Sequence, residues 1–478
     1  MASERNLTTI KFGTDGWRAV IGEDFTFANV ERVAQAFASY LHQQASEAHL
    51  SLTHQVVIGY DCRFLSDKFA RRVVEVLSGN DFAVHLFDAP VPTPLVSWAV
   101  REMKASGGVV LTASHNPAEF NGFKIKAPWG GSASPEMTRD VEALLDHTAP
   151  VRKINAEVSG DALPQFTISY REQLASYLDL EKIRGTDAHV VVDAMHGSGG
   201  IWVESFLQGG KLTVETLREH RDPLFGGVNP EPIDRNLGPL KKRVRETGAL
   251  VGLATDGDAD RVGAVNNRGE TMTMHEVVPL VLLHLARHRG MSGGVVRTFS
   301  QSILTARIAK AFHLPLYETP IGFKYIADLM LRENILIGAE ESGGIGVQGH
   351  IPERDGILNS LLFLEAIVAS GKTPAEMVAE MHREFGEFYF GRRDVHVEVS
   401  RGQALVAGLA AAPPSHVSGL TVAGVETLDG TKLLFADESW LLFRQSGTEP
   451  VLRLYSEATS IEKANRLLDA AFALSQAD

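Results

Sequence analysis

The sequence lacks the features that mark secreted or membrane-spanning proteins. Cys62 is its only cysteine, which excludes an intrachain disulfide framework and favours a reducing compartment. Its most apolar run, residues 277–286, is interrupted by His284 and is too short to span a bilayer. Residues 1–7 are polar and lack the apolar centre of a secretory signal. These absences predict a cytoplasmic protein that is not inserted in a membrane.

The chain also has no excess of positive charge. Its 46 Lys and Arg residues against 59 Asp and Glu residues give a formal net charge of -13. This acidic balance argues against nucleic acid or an anionic membrane surface as a main partner. An anionic substrate therefore needs a local basic pocket. At 478 residues the chain is too long for one hydrophobic core, so we expect about three or four domains.

Three segments repeat a strand–helix–strand pattern that is typical of parallel βαβ units. The predicted strands and the helix between them are 56–59, 68–77 and 83–87 in the first unit, 189–192, 200–207 and 212–216 in the second, and 295–298, 302–312 and 315–317 in the third. Residues 150–158 are predicted to be a linker, and residues 266–269 are either a linker or a tight turn.

After about residue 390 the pattern changes to short alternating strands, such as residues 395–399, and a final helix. A capping box at residues 459–462 is predicted to open that helix. We therefore predict an α/β protein with three consecutive α/β domains that contain mixed sheets, followed by a smaller α+β domain. The predicted boundaries are 1–150, 151–267, 268–388 and 389–478.

A polar turn follows the apolar strand predicted at residues 109–111. Its sequence is Thr-Ala-Ser-His-Asn-Pro at residues 112–117, so a serine hydroxyl and an imidazole stand at the end of a strand, where reactive groups collect in α/β folds. A second predicted turn, Asn-Gly-Phe-Lys, ends at Lys124. Serine, histidine and lysine at this spacing indicate a covalent centre for an anionic group. A capped surface loop explains the first motif taken alone.

Three aspartates alternate in the motif Asp-Gly-Asp-Ala-Asp-Arg at residues 256–261. Carboxylates at alternate positions of a tight loop converge on one point, which suits a hard divalent cation. An EF-hand is excluded because Arg261 and Asn267 occupy the positions of its required glycine and glutamate. A phosphatase loop with Asp256 as nucleophile and a solvated acidic turn both remain alternatives.

Two further loops follow apolar strands. The motif Gly-Ala-Glu-Glu-Ser-Gly-Gly at residues 338–344 can bind vicinal hydroxyls, and Arg-Gln-Ser-Gly-Thr-Glu-Pro at residues 444–450 offers an arginine fork, hydroxyls and backbone N–H groups to a phosphate. Taken alone, the first is explained better by a plain acidic loop and the second equally well by a structural turn. Lys324 and Arg354, also taken alone, are expected to be solvated surface charges.

In this order, the four stretches resemble the loops of the α-D-phosphohexomutase superfamily. Residues 12–18, Phe-Gly-Thr-Asp-Gly-Trp-Arg, are similar to that family's first-domain signature. Residues 114–117 resemble its phosphoserine loop and residues 256–261 its magnesium loop. Residues 340–344 resemble its sugar-binding loop, and residues 444–450 its phosphate-binding loop. The resemblance spans essentially the whole chain and implies four domains around a central cleft.

By position, the resemblance assigns roles to individual residues. It implies that Ser114 is phosphorylated and that Mg²⁺ lies between its phosphate and three carboxylates. The implied metal ligands are Ser114, Asp256, Asp258 and Asp260; the implied catalytic residues are Ser114, His115, Lys124, Arg18 and Arg261; and the implied substrate-binding residues are Lys324, Glu340, Ser342, Arg444, Ser446, Gly447 and Thr448.

The implied activity is interconversion of hexose 1-phosphate and hexose 6-phosphate through a hexose 1,6-bisphosphate, which also serves as activator. The expected partners are small-molecule sugar phosphates. Glu-Glu-Ser-Gly-Gly, which ends at Gly344, resembles the glucose branch more than the Glu-Met-Ser-Gly-His loop of dual mannose/glucose enzymes or the Glu-Gln-Ser-Gly-His loop of glucosamine enzymes. Two departures are that Ile321 stands where the glucose branch has threonine, and that no single residue inherits the proton-transfer role of the missing histidine.

Three other functions compete with a glucose phosphate mutase. A phosphomannomutase or dual-specificity mutase would share every loop named above. A metal-dependent sugar phosphatase would use Asp256 as its nucleophile. A non-catalytic sugar-phosphate sensor would keep the fold without turnover, although the serine, the three carboxylates and Arg444 are all present.

Overall fold

The computed structural model of the protein describes residues 8–13, 15–47, 53–158, 162–446 and 450–476. Within these residues the strands form four sheets, one for each predicted domain. Gly447 and Thr448 of the predicted phosphate-binding loop lie outside the described residues, as does Thr14 of the first-domain signature.

The first sheet is mixed, with helices packed against it. Its strands are β1 (Trp17–Val20), β2 (Gln55–Tyr60), β3 (Ala83–Leu86), β4 (Gly107–Leu111) and β5 (Phe120–Lys126), and its helices are α1 (Phe27–Glu47), α2 (Ser66–Gly79), α3 (Thr93–Met103) and α4 (Pro135–Ala143). The strand order is β1-β5-β4-β2-β3. Strand β2 is parallel to β3 and β4, whereas β5 is antiparallel to both of its neighbours.

The second domain repeats this arrangement. Its helices are α5 (Leu163–Tyr177), α6 (Leu180–Gly185), α7 (Trp202–Leu207) and α8 (Gly238–Thr247), and its strands are β6 (His189–Asp193), β7 (Thr213–Leu217), β8 (Val251–Thr255), β9 (Val262–Val265) and β10 (Thr271–Met272). The order is β10-β9-β8-β6-β7. The parallel strands β6 and β8 end at one edge of the sheet, which places the loop after β8 there.

The third domain has a four-stranded sheet and a buried apolar helix. Its helices are α9 (Met274–Leu283), α10 (Ile303–Ala311), α11 (Phe323–Arg332), α12 (Gly356–Ser370) and α13 (Pro374–Phe385), and its strands are β11 (Gly294–Thr298), β12 (Leu316–Thr319), β13 (Ile335–Ala339) and β14 (Ile345–Val347). The order is β12-β11-β13-β14. Strands β13 and β14 form an antiparallel hairpin, so the loop that joins them is held at both ends.

The C-terminal domain has an antiparallel sheet covered by two helices. Its strands are β15 (Tyr389–His396), β16 (His416–Val417), β17 (Leu420–Glu426), β18 (Thr431–Phe435), β19 (Trp440–Gln445) and β20 (Val451–Ala458), and its helices are α14 (Val399–Ala411) and α15 (Ile461–Gln476). The order is β15-β20-β19-β18-β17-β16. This architecture confirms the predicted fold class and all three βαβ units.

One apolar core joins the first three domains, and the fourth has its own. Leu95 of α3, Leu253 of β8 and Leu361 of α12 are fully buried in the same cluster. The fourth domain instead contacts the third through a small cluster in which Phe299 packs with Trp440 and other residues of its sheet. No helix in the described parts of the chain is long and apolar enough to cross a membrane.

Two local expectations are wrong. Residues 121–124 do not form a turn but lie in β5, because pairing with β1 and β4 and burial of Phe123 outweigh the turn preference of Asn-Gly. The final helix begins one residue later than predicted: Ser460 accepts a hydrogen bond from the Lys463 N–H at 3.2 Å. For residues 266–269, where a linker and a tight turn were both expected alternatives, the structure shows the turn, which joins β9 to β10. The predicted boundary between residues 267 and 268 falls in this turn, and the domain limits remain a prediction.

Candidate active site

Ser114 lies just beyond the end of β4 and is fully buried. Its backbone is left-handed, with φ of 51°, a conformation that costs a non-glycine residue on the order of 1–2 kcal/mol. The N–H of Ser114 donates to the side-chain oxygen of Thr112 at 2.8 Å. The Thr112 hydroxyl in turn donates to the buried carboxylate of Asp61 at 2.6 Å. The strained conformation is therefore held by a hydrogen-bond chain that begins in the loop after β2.

Arg63 holds the rest of this serine loop. Its side chain is fully buried, and its five N–H groups are all used. Nε donates to Asp61 at 3.1 Å, and the two terminal nitrogens donate to four backbone carbonyls. These acceptors are the oxygens of Pro117 and Phe120 (2.6 and 3.0 Å) and of Ser114 and Asn116 (2.7 and 2.6 Å). One guanidinium thus fixes the course of the chain around Ser114.

The predicted metal loop follows β8, and its three aspartates are fully buried. One carboxylate oxygen from each of Asp256, Asp258 and Asp260 lies within 4.8 Å of the others. Oδ1 of Asp258 and Oδ1 of Asp260 have no hydrogen-bond partner among the described residues. Buried anionic oxygens without a partner are costly, and convergent carboxylate oxygens are the ligands that hard divalent cations prefer. These residues therefore fit Mg²⁺.

The metal loop meets the serine loop directly. The Ser114 hydroxyl donates to Oδ2 of Asp256 at 2.8 Å. The other oxygen of Asp256 accepts the N–H groups of Asp260 and Arg261, each at 3.1 Å. Burial and the charges of Asp258 and Asp260 raise the pKa of Asp256 well above its usual value. The hydroxyl and the carboxylate cluster therefore form a single site.

Lys124 brings a buried cation to the same point from β5. Its Nζ lies 2.8 Å from Asp258, 3.0 Å from Asp260 and 2.9 Å from Asp15. Burial opposes the charged form, but these three carboxylates outweigh it and raise the pKa of Lys124. Lys124 is therefore a buried positive charge and hydrogen-bond donor beside the aspartates.

His115 and two arginines complete the polar lining. Nδ1 of His115 lies 3.4 Å from the Ser114 hydroxyl oxygen. Burial, then the charges of Arg261 and Arg18, hold the pKa of His115 well below its usual value, which favours the neutral ring. Arg18 donates to the Asn116 side chain at 2.6 Å. Nε of Arg261 lies 3.8 Å from Oδ1 of Asp260.

The predicted sugar-binding loop joins β13 to β14 beside this cluster. Glu340 is buried, and the half-buried Ser342 follows it. Burial raises the pKa of Glu340 to about 7, against the opposing charges of Arg354 and Arg261. Arg354, expected to be solvated, is buried and forms ion pairs with Asp15, with Asp260 at 2.9 Å and with Glu340 at 3.5 Å. It is a cation of the site.

Gly344 explains how Arg354 fits. A Cβ on residue 344 would lie 2.3 Å from Cδ of Arg354, so a side chain there and the arginine would occupy the same space. The glycine that ends the sugar-binding loop therefore makes room for Arg354. Lys324 is half-buried at the start of α11. It lines a small cavity with Asp15, Gly16 and other residues of the first domain.

The phosphate-binding loop is separate from this cluster. Arg444 lies near the C-terminal end of β19, where its Nε donates to Asp429 at 3.0 Å. Ser446 is buried, and its N–H donates to the Val451 carbonyl at 2.9 Å. Gly447 and Thr448 lie outside the described residues, so the structure gives the base of this loop but not its tip.

The metal loop carries a direct prediction. Replacement of Asp258 by asparagine should weaken Mg²⁺ binding at least about tenfold, because a neutral amide replaces one anionic ligand and loses the charge paired with Lys124. Titration calorimetry with Mg²⁺ measures this directly. The matched control is Asp234→Asn, an exposed carboxylate of the same domain, which should bind Mg²⁺ as the parent protein does. Equal affinities for Asp258→Asn and the control would show that the three aspartates do not form the metal site.

Sequence reasoning missed three residues that line or support the cluster. Asp15 bonds Lys124 and Arg354, Thr93 donates to Asp258 at 2.7 Å, and Arg63 holds the serine loop. Asp15 lies within the signature at residues 12–18, which was the available signal. Thr93 and Arg63 carry no local motif, since their contacts are distant in sequence.

Comparisons with known protein families give matches to all four domains of the chain. Four phosphoglucomutase/phosphomannomutase domain families match in order: alpha/beta/alpha domain I at residues 9–152, domain II at 169–269, domain III at 274–385 and the C-terminal domain at 395–474.

Individual relatives also match over almost their whole length. The chain is 32% identical to a phosphoglucomutase/phosphomannomutase of Thermococcus kodakarensis, covering 96% of each. It is 28% identical to a phosphoglucosamine mutase of Novosphingobium aromaticivorans, covering 96% of this chain and 97% of that one. A crystal structure from Thermus thermophilus, provisionally named a phosphomannomutase, has a TM-score of 0.86 and 38% identity, covering 98% and 100% of the two chains. The chain belongs to the phosphoglucomutase/phosphomannomutase family of the α-D-phosphohexomutases, and the protein is a phosphotransferase mutase.

Proposed function

We propose that the protein interconverts a hexose 1-phosphate and the corresponding hexose 6-phosphate, and that its preferred sugar is glucose. Ser114 carries the phosphoryl group, and a hexose 1,6-bisphosphate is both the intermediate and the activator. The observation that supports this most directly is the 2.8 Å hydrogen bond from the Ser114 hydroxyl to Asp256 within the buried carboxylate cluster. A nucleophilic hydroxyl, a cation site and a buried lysine meet there, as phosphoryl transfer requires.

The residues divide the transfer between them. The bond from phosphorus to Oγ of Ser114 breaks as the bond to the sugar hydroxyl oxygen forms, and the hydroxyl proton passes to the ring of His115, whose Nδ1 lies 3.4 Å from Oγ. Lys124, Arg18 and Arg261 balance the negative charge on the phosphoryl oxygens. After the bisphosphate has turned over, its other phosphoryl group returns to Ser114 and the proton returns to the sugar oxygen. Both half-reactions therefore use the same groups.

Mg²⁺ belongs at the carboxylate cluster. The residues that would hold it are Asp256, Asp258 and Asp260 together with the phosphate on Ser114, and the unpartnered oxygens of two of them support this assignment. When bound, the ion supplies positive charge that stabilises the oxygens of the phosphoryl group in transfer.

Substrate recognition is shared by the two remaining loops. Glu340 and Ser342 bind sugar hydroxyls, with Lys324 nearby on α11. Arg444 and Ser446, with Gly447 and Thr448 at the tip of the loop, bind the phosphate that is not reacting.

Glucose is preferred to mannose and glucosamine because of the loop that ends at Gly344. Among relatives, the names include phosphoglucomutase/phosphomannomutase and phosphoglucosamine mutase, so they do not choose between sugars. The proposal rests on the Glu-Glu-Ser-Gly-Gly sequence and on Arg354, which occupies the space that a histidine at residue 344 would need. A phosphatase that uses Asp256 as nucleophile differs from this proposal in the residue that carries the phosphoryl group, Asp256 in place of Ser114.

Steady-state kinetics with three sugars test the proposal. We expect kcat/KM for glucose 1-phosphate to exceed the values for mannose 1-phosphate and glucosamine 1-phosphate by at least about tenfold, with Mg²⁺ and the matching bisphosphate present. A higher value for mannose or glucosamine would refute the sugar assignment and leave the mutase intact. Release of inorganic phosphate without isomerisation of any of the three would refute the mutase activity.

A further inference from the structure

Asp429 contacts two segments that belong to different domains, the phosphate-binding loop and the chain just before α11. It lies in the turn between β17 and β18, and one of its oxygens, Oδ2, accepts two hydrogen bonds. The first comes from Nε of Arg444 at 3.0 Å, and the second comes from the backbone N–H of Ile321 at 2.8 Å. Arg444 belongs to the phosphate-binding loop of the fourth domain. Ile321 belongs to the third domain and lies two residues before the start of α11, where Lys324 lies.

The contact with Arg444 sets the direction of its fork. A guanidinium has five N–H donors in one plane, so an acceptor on Nε fixes that plane. The pair is largely shielded from water, with side-chain exposures of 11% for Arg444 and 22% for Asp429. The next residue, Gly430, has φ of 98°, and a Cβ there would lie 2.3 Å from the Phe443 carbonyl oxygen. The turn therefore packs closely against β19 beside Arg444. This close packing holds Asp429 in position.

The contact with Ile321 adds a second function to the same carboxylate. The two domains also meet through other groups, such as Lys432, which donates to the Phe299 carbonyl at 2.9 Å, and Glu457, which accepts the Ile303 N–H at 2.9 Å. Those contacts join the domains at their apolar cluster. Asp429 joins them where the substrate is proposed to bind.

We propose that Asp429 is a positioning residue for the distal phosphate of the substrate. It orients the fork of Arg444 and links it to the segment that leads into α11, so that the phosphate-binding loop and Lys324 engage one substrate together. The proposal rests on the proposed role of Arg444 as the ligand of the phosphate that is not reacting. It assigns Asp429 no contact with the reacting atoms.

A double-mutant cycle tests this coupling. The variants are Asp429→Ala, Arg444→Ala and the double variant, with Asp429→Asn as a milder change that keeps an acceptor oxygen. The matched control is Asp469→Asn, an exposed carboxylate of the same domain that pairs with Arg393 at 2.8 Å. KM and kcat are measured for glucose 1-phosphate and for glucose 6-phosphate, and thermal melting checks that each variant is folded.

We expect Asp429→Ala to raise KM about five- to tenfold for both isomers, with kcat within about twofold of the parent value. The KM of Asp429→Asn should lie between the values for the parent protein and Asp429→Ala. In the Arg444→Ala background the same change should raise KM by less than about twofold, because the residue acts through the arginine. The control should match the parent protein. A general loss of stability would not produce this non-additive effect on KM.

The remaining outcomes separate two failures. In the first failure, Arg444→Ala raises KM but Asp429→Ala leaves KM unchanged or lowers it, or the fold-change in KM of the double variant equals the product of the two single fold-changes. Asp429 is then not a positioning residue, and the proposed function stands. If Arg444→Ala itself leaves KM unchanged for both isomers, the phosphate-binding role of the loop is wrong and the assignment of Asp429 is overturned with it.

Discussion

Replacement of Ser114 by alanine is expected to lower kcat for the mutase reaction by at least about 10³-fold, because the hydroxyl is the group that carries the phosphoryl between the two ends of the sugar. The loss should be nearly the same for glucose 1-phosphate and glucose 6-phosphate, since both half-reactions pass through the same oxygen. The measurement is initial velocity in both directions at saturating activator.

The fold of this variant should survive. The Ser114 side chain donates one hydrogen bond, to Asp256, whereas the loop is held by backbone groups and by Arg63. Ser97→Ala is the matched control, because Ser97 is a buried serine of the same domain whose hydroxyl has no partner among the described residues. It should keep full activity. Activity of Ser114→Ala close to that of the control would rule out Ser114 as the carrier.

Replacement of Arg63 by lysine should have the second largest effect. Lysine has three donors in place of five and no planar fork, so at least two of the five buried acceptors, which are Asp61 and the four carbonyl oxygens, lose a hydrogen bond. Each such loss costs about 1–3 kcal/mol. A shift of the serine hydroxyl on the order of 1 Å is enough to reduce kcat by about 10²-fold. We therefore expect a large loss of kcat, with a smaller change in KM.

Two measurements separate this effect from unfolding. Mg²⁺ affinity, determined by calorimetry, should stay near the parent value, because none of the five hydrogen bonds of Arg63 goes to the three aspartates. The control is Arg71→Lys, an exposed arginine of α2, which should leave kcat and the melting temperature unchanged. Normal kcat in Arg63→Lys would mean that the backbone of the serine loop needs no guanidinium to hold it.

The predictable part of the site is the part in which the chemistry is contiguous in sequence. The serine loop at residues 112–117 and the aspartate loop at residues 256–261 each follow a buried strand, and a strand that ends in polar residues can be recognised without knowing its neighbours. The same reasoning predicted the three βαβ units, because hydrophobic periodicity is local.

The rest depended on tertiary contacts. Asn121 and Gly122 favour a turn locally, yet β1 pairs with both of them and β4 pairs with the residues that follow, so they lie in a strand. Arg354 resembled a surface charge because the carboxylates of Asp15 and Asp260, with which it forms buried ion pairs, are far away in sequence. Neither the cations around a cluster nor the donors that hold a loop can be read from their immediate neighbours.

Intact-mass and peptide analysis of the phosphorylated protein test the central claim most directly. The protein is incubated with glucose 1,6-bisphosphate and Mg²⁺, separated from the free sugar and mapped, and a second portion is treated with glucose 1-phosphate. We predict one acid-stable phosphoryl group on the peptide that contains Ser114, its transfer to the added sugar, and no label on that peptide in Ser114→Ala. An acid-labile phosphoryl group on Asp256, or no transferable phosphate on the protein, would contradict the account.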